Sequence, residues 1–240
     1  MIRPTAPSRL GRAYAYRPPP GASPLAGTVR RTQGADVDLR PCLRPVRDQL
    51  RRGTCFAHAG IALAELAHGC HVDLSPEYVA WRVQMAEWSF PRDAGGSVAD
   101  TLGVLHSWGT CPEVLMPYAT DQGAVGSAAC DEAAREYRVG TPCRVDLTDL
   151  GDVRAVLAAG KGIAIGFAVY ENFERTGRDG MVPPRLPSDR CLGGHAEVVV
   201  GVVSGRLVLR GSWGAGWGDR GYCYVDPAEF CQDVFESWTC

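Results

Sequence analysis

Residues 49–69 read QLRRGTCFAHAGIALAELAHG. A polar loop with a glycine runs into an Ala/Leu-rich stretch that is apolar on most faces and stops at Gly69, the pattern of a buried helix closed by a glycine. Cys55 stands at the start of that helix. A nucleophilic cysteine reacts as its thiolate, and the free N–H groups of a helix N-terminus favour that form. Arg51 and Arg52 add positive charge beside it. Cys55 is therefore a candidate nucleophile, although the chain holds ten cysteines and structural thiols also occur at helix starts.

Two further helices follow. In LSPEYVAWRVQMAEW, Ser75 is the expected N-cap, Pro76 the first helical residue and Glu77 part of the first turn. In GGSVADTLGVLHSWG a helix begins at Ser97, has Asp100 three residues on, and stops near Gly109. The second half changes character. A short helix from Thr148 to Gly160 precedes the strand-like runs GIAIGFAVY, HAEVVVGVV, RLVLR and GYCYV. Helices first and strands later predict an α+β protein of two lobes, a helical one over about 40–140 and a β-rich one over about 141–240. Residues 1–35, rich in Pro, Gly, Arg and Ser, read as an extended or partly disordered arm.

The charge balance of 25 basic against 27 acidic residues argues against nucleic acid or an anionic membrane as the main partner. No run reaches the apolar length of a membrane span. The N-terminus lacks the apolar segment of a signal peptide, so a cytoplasmic location with reduced thiols is expected. The nine other cysteines show neither C-x-x-C pairs nor metal-ligand spacing, and each is expected to fill space as a small buried hydrophobe. No metal and no cofactor are expected.

A thiolate nucleophile needs a base, usually histidine. His58 lies one turn along the same helix and would point along it. His68, His71 and His106 sit in helix or helix-end contexts. His195 follows Gly193 and Gly194 and opens an apolar strand, where a rigid element can present an imidazole at an edge. On local grounds a structural histidine at a strand start remains open.

The stretch VDLRPCLRPVRDQLRRGTCFAHA resembles the start of mature papain/cathepsin-like cysteine peptidases, with Pro45-Val46, then Gln49 six residues before Cys55, then Cys55-Phe56-Ala57. GGHAEVVVGVV is similar to that family's histidine strand, and LRGSWGAGWGDRGYCYV to its Asn-Ser-Trp-Gly-x-x-Trp-Gly block. The separation of Cys55 and His195 falls within the family's own spacing of roughly 130–150 residues. The resemblance covers about residues 36–240. It implies a papain-like α+β fold, with a helical lobe and a β-barrel-like lobe flanking a cleft, and a cysteine-type peptidase acting as a monomer on a peptide or protein.

Carried over residue by residue, the resemblance makes Cys55 the nucleophile and His195 its base, with Gln49 and the Cys55 N–H as oxyanion donors. Gly53, Gly95, Gly96 and Ala196 would border the substrate, and Trp213 would shield the histidine's hydrogen bond. Two departures stand out. Arg52 and Asp93 occupy the places of a family disulfide, and an ion pair between them is expected to span the gap. Gly211 stands where the family has its orienting asparagine, which predicts a weakened or specialised enzyme. A catalytically silent peptide-binding module and a peptide acyltransferase are the alternatives. Only some 35 residues precede the matching region, too few for the family's helical prosegment but enough to thread along the cleft.

Overall fold

The computed structural model describes residues 12–23, 25, 28–30, 34–118 and 123–240. Residues 1–11 and parts of 24–33 of the expected arm lie outside the described residues.

Among the described residues the α-helices are α1 (Cys55–Ala67), α2 (Pro76–Ala86), α3 (Val98–Ser107), α4 (Ala128–Ala134), α5 (Leu150–Ala158), α6 (Glu171–Glu174) and α7 (Pro227–Phe230). The strands are β1 (Val37–Asp38), β2 (Cys143–Arg144), β3 (Ile163–Tyr170), β4 (Cys191–Val203), β5 (Arg206–Arg210), β6 (Tyr222–Val225) and β7 (Val234–Thr239). They form one antiparallel sheet in the order β2-β7-β3-β4-β5-β6, and β1 pairs with the far end of β4. The result is the two-lobed α+β architecture that the order of helical and strand patterns implies.

The capping chemistry explains the helix starts. Ser75 accepts from the Tyr78 N–H and Ser97 from the Asp100 N–H. Asp149, rather than Thr148, caps α5 by accepting from Gly151 and Asp152. Its carboxylate reaches the free N–H groups two and three residues on, the usual role of an aspartate at this position. Gly69 and Gly109, both at positive φ, end α1 and α3 as their sequences indicate.

α1 is buried over most of its length because it runs between the lobes, packing on α2 and α3 on one side and on β3 and β4 on the other. This explains why its apolar residues are not confined to one stripe. β4 differs from expectation at its start. It begins at Cys191, so His195 lies inside the strand, paired with Phe167 of β3, and Gly193 and Gly194 extend the ladder instead of forming a turn.

All ten cysteines are free thiols. Cys111, Cys130, Cys223 and Cys231 are buried as expected, Cys70, Cys191 and Cys240 are only half-buried, and Cys42 and Cys143 are exposed, the first in a short 3-10 helix and the second in a two-residue edge strand.

Candidate active site

The first turn of α1 and the middle of β4 face each other across the junction of the lobes. Cys55 is fully buried at the helix start, and the fully buried imidazole of His195 lies across the junction from it. Burial by itself disfavours a charged imidazole. Here the neighbouring Cys55, joined by Glu197, outweighs burial and raises the pKa of His195 to about 9. Trp213 stacks on the imidazole with centroids 4.4 Å apart at 16°, while Phe167 and Tyr14 present ring edges to it. This aromatic wall keeps water away and strengthens each polar contact inside it.

Gln49 is held from several sides. Its N–H donates to the Ser212 carbonyl (2.8 Å), and its side-chain Oε1 accepts from the Ser212 hydroxyl. Its Nε2 consequently donates to the Arg52 carbonyl (2.7 Å), in the loop leading to Cys55, and to the carbonyl of Ala13 (3.4 Å).

Ala13 belongs to the arm, whose residues 12–17 lie along the cleft. The Arg12 guanidinium sits over the Trp213 ring at 4.3 Å. The Tyr16 N–H donates to the Gly194 carbonyl (3.0 Å) and the Arg17 N–H to the Gly96 carbonyl (3.1 Å). Gly95, at φ +72°, touches the arm so closely that a Cβ there would lie 1.6 Å from the Ala15 carbonyl oxygen, a place where only glycine fits. A Cβ on Gly53 would lie 2.5 Å from that of Ala15. Tyr16 drops into a pocket against Gly166, and its hydroxyl donates to Glu236 Oε1 (2.8 Å). Glu236 also accepts from the first N–H groups of α3 and from Trp238 Nε1. Burial and this carboxylate both push the Tyr16 phenol up, so it stays a donor.

The structure thus brings Cys55, His195, Gln49, Gly53, Gly95, Gly96 and Trp213 to one cleft. Ala196 is buried in β4 opposite Gly166, beside the Tyr16 pocket. His58 turns back on α1, its Nδ1 bonded to the Thr54 carbonyl (3.0 Å), and burial lowers its pKa to about 3.

The expected bridge from Arg52 to Asp93 is arranged differently. Arg52 makes a buried ion pair with Glu77 of α2, while Asp93 Oδ2 accepts from the Gly53 N–H (2.6 Å). The planar fork of Arg52 meets both carboxylate oxygens of Glu77, a match that favours this partner.

Glu197, Ser212 and Glu236 were not singled out by their sequence positions. For Glu197 a signal exists, since it is a lone charge in an apolar strand, two residues from a histidine and so on the same face. Its Oε1 lies 3.5 Å from His195 Nε2, and its Oε2 accepts from the Cys223 thiol at 3.8 Å.

No family profile matches the chain. An uncharacterised peptidase C1-like protein of Acanthamoeba polyphaga mimivirus is 26% identical over 194 residues, covering 73% of this chain and 62% of that protein. Peptidase 1 of Psoroptes ovis is 24% identical over 204 residues, covering 79% of this chain and 59% of its own length. The chain therefore spans about 60% of the curated relatives it matches. Xylellain, a cysteine protease from Xylella fastidiosa, superposes with a TM-score of 0.79 at 25% identity, covering 95% of this chain and 96% of xylellain. A papain-like fold with a buried cysteine–histidine pair at the lobe junction defines the class. With these relatives, the chain is similar in fold and in sequence to papain-like cysteine peptidases of the C1 type.

Proposed function

We propose that this chain is a cysteine peptidase that hydrolyses peptide bonds through Cys55 and His195. The thiolate of Cys55 attacks the scissile carbonyl carbon, and the oxyanion is held by Gln49 Nε2 and the Cys55 N–H. His195, as imidazolium, gives its Nδ1 proton to the leaving amine, and the neutral ring then takes a proton from the water that releases the acyl group. Gly96 and Gly194 bind the substrate backbone, Gly53 and Gly95 leave room for it, and Ala196 borders a side-chain pocket. Trp213 covers the imidazole on the leaving-group side.

One observation carries the reading. The cleft that contains Cys55 and His195 already holds an extended peptide, residues 12–17, by backbone hydrogen bonds to Gly96 and Gly194 and by a carbonyl at Gln49 Nε2. With a pKa of about 9, His195 is protonated at neutral pH and loses its proton as pH rises through that value. Activity should fall on that alkaline limb.

The test is labelling with E-64, an epoxide that alkylates an activated thiolate, followed by a peptide-library cleavage profile. Labelling at Cys55 that disappears in His195→Ala, together with cleavage, is expected. A chain that takes no label under reducing conditions and cleaves no peptide would instead be a peptide-binding module.

A further inference from the structure

We propose that Glu197 is the positioning residue for His195, taking the part of the side chain that Gly211 lacks. This deepens the peptidase reading and rests on it.

Strand geometry places the two together. His195 and Glu197 are two apart on β4 and share a face, both almost completely buried. Oε1 stands 3.5 Å from His195 Nε2. The other oxygen is held by the thiol of Cys223 on β6. Burial and the nearby carboxylate push the Cys223 thiol well up, so it remains a donor and never competes for the imidazole proton. An ionised carboxylate buried without a counter-charge costs several kcal/mol, and the imidazolium supplies that charge.

Gly211 completes the fit. A Cβ at residue 211 would stand 3.1 Å from Glu197 Oε1, already tight. A whole asparagine side chain there and the Glu197 carboxylate would compete for one space. The glycine therefore makes room for an acceptor arriving from β4 instead of from the loop after β5.

Other ionisable groups stand around the pair, among them Arg12 of the arm, whose guanidinium lies over the Trp213 ring that stacks on His195. From α1 come Cys55, which pushes the His195 pKa up, and His58, kept neutral by burial. Arg210 of β5 shares a small cavity lining with Glu197, but its guanidinium is bonded to the carbonyls of Arg44 (2.7 Å) and Pro45 (3.0 Å) and to the Tyr222 hydroxyl. Tyr14 of the arm presents its ring edge. A carboxylate differs from an amide acceptor in one consequence. It orients the ring and also holds the proton on it, extending the imidazolium form to higher pH.

The experiment uses the full chain, labelled with 15N-histidine, and follows the His195 imidazole titration. In parallel, kcat and KM are measured against pH with a fluorogenic peptide chosen from the library profile. Glu197→Gln, which keeps an acceptor and removes the charge, should lower the His195 midpoint by about one unit or more. It should keep kcat at neutral pH within about tenfold, with the alkaline limb moved down. Glu197→Leu should lose roughly 100-fold in kcat with little change in KM, and Glu197→Leu/Gly211→Asn should recover at least about tenfold of it. Gly211→Asn alone should lose activity.

A wild-type midpoint and kcat in Glu197→Leu would overturn the proposal. So would a loss in Glu197→Leu that neither the glutamine variant nor the double variant relieves, since that is a folding effect. If Glu197→Leu does not fold, the midpoint in Glu197→Gln decides. If the wild-type chain cleaves no peptide while that midpoint still drops, the pairing stands and the peptidase reading falls.

Discussion

Ser212, in the loop after β5, donates its hydroxyl to Gln49 Oε1, and that bond fixes which end of the amide faces the cleft. With Oε1 occupied, Nε2 must point toward Cys55's loop and the arm. Ser212→Ala should let the amide turn. The expected loss is about tenfold in kcat/KM, mostly in kcat, because the donor acts on charge that develops during reaction. Steady-state kinetics beside a melting curve checks this. An unchanged kcat would mean that the Arg52 carbonyl alone holds the amide.

The arm should compete with ligands of the cleft. Its anchor is Tyr16, nearly fully buried with its hydroxyl on Glu236. Tyr16→Ala removes that burial and the hydrogen bond, and even about 1.4 kcal/mol of lost anchoring shifts arm occupancy tenfold. E-64 labelling of Cys55 should then be at least about tenfold faster than in the wild-type chain. Equal labelling rates would show that arm release does not limit access.

Around the nucleophile loop, Glu77→Gln should destabilise the fold more than Asp93→Asn. The first breaks a buried ion pair with Arg52, a loss of roughly 3–5 kcal/mol. The second weakens one charge-assisted bond to the Gly53 N–H, worth roughly 1.5–3 kcal/mol. Urea unfolding of both variants gives the order. The reverse order would restore Asp93 as the main partner of Arg52.

His58 makes stability fall in acid. Its folded pKa, about 3, lies below the roughly 6.5 of an unfolded histidine. The unfolded chain therefore binds the proton first, so this contribution is complete above pH 6.5 and is lost as pH falls toward 3. His58→Gln, which can still donate to the Thr54 carbonyl, should move the acid-unfolding midpoint to lower pH. A midpoint that stays put would assign acid lability to other groups.

Much of the site was legible in the chain because it depends on local order. A loop glycine and an Ala/Leu run put Cys55 at a helix start; the six-residue offset set Gln49 apart; two glycines before an apolar run marked His195. These features need only backbone propensity and spacing, and with the Ser-Trp-Gly block they pointed to the papain-like class. The partners were not legible. Alternation along β4 says that Glu197 shares a face with His195, but only the packing of β5 and β6 over that face decides whether it meets solvent or an imidazole. Gly211 reads alone as a loss, and becomes a vacancy that Glu197 fills once the strands are side by side. Arg52 could have paired with any nearby carboxylate, and helix packing gave it Glu77. Sequence thus determined which residues are the candidates for the chemistry, and tertiary structure decided what surrounds each of them, because hydrogen bonds and ion pairs depend on distances between segments far apart in the chain.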